Sequence, residues 1–130
     1  MEFDESMRLA MADTDFGVAD HLDKEYHPKP YEIICYHCQQ AAEKAVKAVI
    51  KAYNIPGGIP KTHDLVFLLE QLRAYREISE GLFDMAEKLT IYGVAVRYPN
   101  ELHIDDSHVK NALKSSGSIV KWAKEVVALK

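Results

Sequence analysis

The chain has 130 residues, 48% hydrophobic and 28% charged, a balance that fits one globular domain over 1–130 and excludes a disordered chain. Its net charge of −4 and pI near 5.8 argue against a generic nucleic-acid binder, which needs a basic surface. It has no apolar run of about 18 residues and no basic leader in MEFDESMRLAMAD, so the expectation is a cytoplasmic protein without a membrane span and with two free thiols.

Segment one runs from about Asp4 to Asp23. Met7, Met11, Val18 and Leu22 fall on one helical stripe, the expected buried side. HPKP (27–30) ends it, because proline lacks a donor and disfavours a helical residue before it. Segment two runs from Tyr31 to Tyr53. Ile34, Cys38, Ala41, Ala45, Ala48, Val49 and Ala52 make a stripe of mostly small side chains, which lets a neighbouring helix come close. Gln40, Glu43, Lys44, Lys47 and Lys51 lie largely off it, with Glu43 and Lys47 at a favourable i,i+4 spacing. NIPGGIP (54–60) closes the helix.

Segment three, about His63 to Tyr75, has Thr62 as its expected N-cap and Leu65, Leu68, Leu69 and Leu72 on one face. Segment four starts at the cap Ser79 and continues through Leu82, Met85, Ala86, Leu89 and Val96 toward Arg97, with Pro99 as its stop. Segment five starts at Asp105 or Asp106 and buries Val109, Leu113, Val120, Ala123 and Val127, with Trp122 at an edge. No alternating strand pattern survives. The expected architecture is all-α, a five-helix up-and-down antiparallel bundle.

HCQQAAEKAVKAVI (37–50), KTHDL (61–65) and VRYPNELH (96–103), in that order and spacing, resemble the HEPN domain, a small helical family. The resemblance covers nearly the whole chain. It implies a HEPN-like homodimer, a minimal nucleotidyltransferase as partner, and nucleotide or RNA chemistry. Many HEPN proteins resemble one another in a ribonuclease motif of Arg, four to six residues, then His; Arg97 and His103 bracket five. That implies a metal-independent endoribonuclease, the toxin of a toxin–antitoxin pair, with Arg97 and His103 as catalytic residues. No metal or cofactor is expected.

The residue types suit that chemistry. Histidine exchanges protons near neutral pH, and the arginine fork holds two phosphate oxygens. The departures are equally concrete. Tyr98 and Pro99 follow Arg97, so His103 is expected on a loop. Where some toxin members carry a nucleotide-accepting tyrosine, this chain has Asp105. The other readings are a binding module without catalysis and a pure protein-interaction module.

Arg97, Lys44, Lys47 and His63 are the expected nucleotide or RNA contacts, and Ala41, Ala45 and Ala48 the expected dimer face. His63 and Asp64 stand at a helix start, where free N–H groups attract phosphate or merely complete a cap. Cys35 and Cys38 share one side of a helix but lack the context of a redox or zinc site, and read as small buried residues. Residues 110–130 carry five lysines against Glu125, a local +4 that is either a solvated face or a strip for a phosphate-bearing partner.

Overall fold

A computed structural model describes residues 4–95 and 103–130, apart from the side chains at 94 and 95. Among the described residues the elements are all helical: α1 (Glu5–Glu25), α2 (Tyr31–Ala52), α3 (Leu65–Glu70), α4 (Glu80–Thr90), α5 (Tyr92–Ala95) and α6 (Asp106–Ala128). The long helices α1, α2 and α6 pack on one another, with α3 and α5 against α2 and α4, and α4 against α2 and α6. Asp15 of α1 meets His37 and Lys44 of α2, while Arg8 shares a cavity with Lys47 and Lys51. That reversed order marks an antiparallel pair.

Local chemistry sets the helix starts. Asp4 caps α1 by accepting from the Met7 N–H at 2.8 Å. Ser79 caps α4, and Asp105 caps α6 through the N–H groups of Ser107 and His108. These contacts satisfy donors that a helix start leaves without intrahelical partners. The cap of α3 is Asp64, whose carboxylate accepts from Val66 and Phe67. Thr62, the expected cap, instead accepts from the Asp64 N–H at 3.1 Å. It sits one step outside and shapes the turn.

Two segment boundaries differ from the sequence reading. α3 ends at Glu70, although Leu72 is fully buried. The leucine pattern persists because the following turns close through i→i−3 bonds, such as Leu72 N–H to Leu69 C=O at 3.0 Å. The fourth segment is two helices, not one. The Thr90 hydroxyl donates back to the Ala86 carbonyl at 2.8 Å and accepts from the Leu65 N–H. The first of the two helices ends just after this contact, with Ile91 as its C-cap.

The core centres on α2. Ile34, Cys38, Ala41, Ala45, Ala48 and Val49 are all fully buried. Ala41, Ala45 and Ala48 are therefore not a dimer face: the chain's own helices cover them. The Ser116 hydroxyl reaches the Cys38 carbonyl at 2.7 Å, tying α6 to α2. The thiol of Cys35 is pushed up to about 12 by burial, and that of Cys38 is also raised, again chiefly by burial. Both are structural thiols, since the reactive form is the thiolate.

α1 turns three of its four stripe residues outward, while the fourth, Leu22, packs on the core. Its buried residues are Ala12 and Ala19, with Leu9, Phe16 and Leu22 packed alongside. Met7, Met11 and Val18 point away from the core and stay about two-fifths exposed. The small alanines let α1 approach its neighbours closely on that side. An apolar stripe remains on the other.

Candidate functional site

Gln39, Gln40, Glu43, Lys44 and Lys47 form a polar seam along α2, opposite much of the small-residue stripe. Such a seam would ordinarily face water. Here the turn before α3, α1 and α5 cover much of it. Gln39 is fully buried and Glu43 is only 5% exposed. A buried carboxylate is tolerated when paired and hydrogen-bonded.

Three donors converge on Glu43. The Gln39 amide donates to Oε1 at 3.0 Å, His63 Nδ1 lies 2.8 Å from Oε1, and the Lys47 ammonium lies 3.0 Å from Oε2. Burial acts most strongly on this carboxyl and raises its pKa. The bonds from Gln39, His63 and Lys47, with the Lys47 charge, outweigh burial and leave the group below the ordinary carboxylate range. An ionised carboxylate only accepts, so His63 Nδ1 must donate. That leaves Nε2 of the exposed imidazole for a ligand or a proton.

Gln39 carries the seam to two other segments. Its amide also donates to the His63 carbonyl at 3.2 Å, and its own oxygen accepts from Gln40 at 2.7 Å. Gly93 of α5 lies directly over it: a Cβ there would meet the Gln39 side chain at 3.2 Å. The approach is tight, so a side chain at this position would make Gln39 give by a few tenths of an ångström, and it sets α5 against the seam.

The expected binding residues divide between two clusters. Lys47 and His63 share Glu43. Lys44 pairs instead with Asp15, which also holds His37 at 3.0 Å. Lys47 lines a cavity of about 400 Å³ with Arg8, Lys51 and Lys61. His103 is exposed and outside a helix. Arg97 lies outside the described residues. Asp105 is occupied as the α6 cap, and its bonds from Ser107 and His108 hold the carboxyl down to about 2.

The α6 lysines Lys110, Lys114, Lys121 and Lys124 are all exposed and share one face, and Lys124 pairs with Asp13 at 2.6 Å. Among the described residues no cluster of three His, Cys, Asp or Glu side chains is placed to hold a metal ion, and no helix is long and apolar enough to cross a membrane.

The HEPN-domain family profile matches residues 7–126. The chain belongs to the HEPN family. It is similar to the crystal structure of TT1696 from Thermus thermophilus at 25% identity, with a TM-score of 0.81 over 94% of this chain and 97% of that one. It also shares the fold of ST0689, an archaeal HEPN homologue, with a TM-score of 0.75 at 19% identity over 97% and 99% of the two chains. No curated protein matches it.

Asp15, His37, Gln39, Arg8, Lys51 and Lys61 are the members of this HEPN chain's polar clusters that sequence reasoning missed as site residues. Gln39, Glu43 and Lys47 repeat at i,i+4, a usable signal for one continuous helix face. Nothing local announces that His63, twenty residues away, completes it.

Proposed function

We propose that this HEPN chain is a nucleotide- or RNA-binding module that acts as a homodimer with a minimal nucleotidyltransferase. One observation carries the reading: Gly93, four residues before Arg97, packs on Gln39 of the HCQQAAEK helix. α5, the helix that precedes the VRYPNELH segment in the chain, thus meets that helix beside a preorganised Glu43–His63 pair. The arginine fork would hold phosphate oxygens, and His63 Nε2 would give or take a hydrogen bond. The test is fluorescence anisotropy with labelled single-stranded RNA and with ATP in EDTA, using wild type and Arg97→Ala. Binding that weakens at least about tenfold on losing the bidentate contact supports the reading. A folded wild type that binds neither probe removes it. Co-purification of a nucleotidyltransferase with the tagged chain tests the partner.

The homodimer reading uses the outward stripe of α1. Met7, Met11 and Val18 form a second apolar face on a helix whose other side is already packed. Such a face is suited to a second copy. Met11→Glu should convert the dimer to a folded monomer in sedimentation equilibrium, with a circular dichroism melt close to wild type. A dimer unchanged by Met11→Glu moves the interface elsewhere.

The endoribonuclease reading stands second. His103 is exposed ahead of the α6 cap, where a phosphodiester can reach it. RNA cleavage in EDTA, abolished by both Arg97→Ala and His103→Ala, would make this the working function, with a toxin role following. Binding without cleavage leaves the first.

A further inference from the structure

Gln39 is fully buried on α2, and its amide is held from two segments at once. Nε2 donates to Glu43 Oε1 at 3.0 Å and to the His63 carbonyl at 3.2 Å, while Oε1 accepts from the Gln40 amide at 2.7 Å. A primary amide has two donor hydrogens. Here one goes to its own helix and one to the turn before α3. α5 rests on the same group. A Cβ at Gly93 would stand 3.2 Å from Cδ, 3.3 Å from Nε2 and 3.4 Å from Oε1. The three distances are nearly equal, so Gly93 looks onto the flat face of the amide rather than onto one end of it. Turning that plane on edge would push against α5.

The two ends of an amide can exchange places, and the charge on Glu43 decides between them. An ionised carboxylate only accepts, which pins Nε2 toward Glu43 and leaves Oε1 for Gln40. A neutral acid carries an O–H donor and can take Oε1 instead. The exchanged orientation then sets Oε1 against the His63 carbonyl, acceptor on acceptor, and Nε2 against the Gln40 amide, donor on donor. Buried polar groups left unpaired are costly. With Glu43 neutral, one orientation loses its charge-assisted bond and the other loses two partners, so neither holds the plane as firmly. The charged groups against Glu43 are Lys47 on α2 and His63 on the turn before α3. α5 brings Gly93, which carries no charge. The His63 side chain is 61% exposed against 7% for Glu43, so the buried carboxylate is reached from outside through its histidine.

We propose that Gln39 is a mechanical link between the Glu43–His63 pair and α5: loss of the charge on Glu43 turns the Gln39 amide and moves α5. A side chain with two competing orientations is the two-state element that such coupling requires. The link needs no particular ligand. It would stand in a chain that bound neither nucleotide nor RNA, and the proposed function would stand if α5 did not respond.

The test is NMR of the full chain at pH 7, with backbone amide shifts read for wild type, Glu43→Gln, Gln39→Met and the double variant. Chemical shifts report the folded state, so a mere loss of stability does not move them. Glu43→Gln removes the charge and keeps the shape. Gln39→Met keeps a side chain of similar length under Gly93 and removes all three hydrogen bonds. The expected result is that Glu43→Gln moves the Tyr92 and Gly93 amides of α5 and leaves the middle of α6, around Ser116 and Ile119, in place. In the Gln39→Met background the same substitution should move Gly93 by less than about half as much, because the route is already cut. A Gly93 amide that stays in place in Glu43→Gln overturns the link. A Gly93 shift as large without Gln39 as with it shows another route and also overturns it. Shifts spread evenly over α1, α4 and α6 mean general rearrangement and overturn it as well. Should Gln39→Met not fold, an acid titration of the wild type decides. The Gly93 amide should move with the same midpoint as the Glu43 side-chain carboxyl carbon, below the ordinary carboxyl value of about 4.3. A Gly93 amide that follows a different midpoint, or does not titrate, overturns the link.

Discussion

Glu43→Ala should cost about 2–3 kcal/mol of folding stability at neutral pH, measured as a shift in urea unfolding. Removing one partner from a buried, charge-assisted network leaves the others without their acceptor. Gln39 keeps the His63 carbonyl, and the exposed His63 ring can turn to water. Those remaining contacts place the cost below the upper end for buried pairs. Glu43→Gln should cost less, about 1–2 kcal/mol, because its amide oxygen still accepts while the charge is lost. The pH dependence has a definite sign. The Glu43 carboxyl lies below its ordinary value in the folded chain. Its extra stabilisation is therefore complete above the unfolded pKa and disappears as pH falls through the lower folded value. The gap between wild type and Glu43→Gln should be full at pH 7 and should narrow below about pH 4, around and below the ordinary carboxyl range. An equal gap at pH 7 and pH 3 would mean that Glu43 contributes only shape.

The same residue shows where sequence reasoning reaches and where it stops. Glu43 and Lys47 were legible as a pair, since helix geometry alone brings i and i+4 together. That Glu43 is buried was not legible, because its cover comes from elsewhere in the chain. Leu65, Leu68, Leu69 and Leu72 were readable as one buried face because four large side chains repeat without interruption. α1 misled for the opposite reason. It carries apolar groups on two sides: Ala12 and Ala19, flanked by Leu9, Phe16 and Leu22, enter the core, while Met7, Met11 and Val18 make a second stripe at equally good helical spacing. Packing rewards closeness as well as side-chain size. The cationic cavity was also beyond a local reading. Arg8 is more than forty residues from Lys51 and Lys61 in sequence, and only the docking of α1 and the loop on α2 unites them. Thr62 and Asp64 differ by two positions, within the usual uncertainty of a helix end.

Ala45→Leu discriminates an interior stripe from an interface. Ala45 is fully buried within the single chain, on the central helix against which α1 and α6 pack. A leucine adds three carbons where helices approach closely. Interiors are near crystal density, so the added volume must displace a neighbouring helix or force strained rotamers. The expected cost is about 2–3 kcal/mol in urea unfolding, enough to lower the melting temperature of a domain this size by several degrees. The loss should be first-order in character: it should not depend on protein concentration once dimer dissociation is separated from unfolding. Ala45→Gly, which adds no volume, should be milder, about 1 kcal/mol, through helix propensity. Met11→Glu should give the reverse pattern, with association lost and the fold retained. If Ala45→Leu instead left the unfolding curve unchanged and altered only the sedimentation profile, the alanine stripe would be an interface after all, and the present packing of α1 and α6 on α2 would be wrong. The contrast follows from one physical distinction. Small residues bring helices together when their surface is already covered, whereas an exposed methionine stripe still has apolar area to bury.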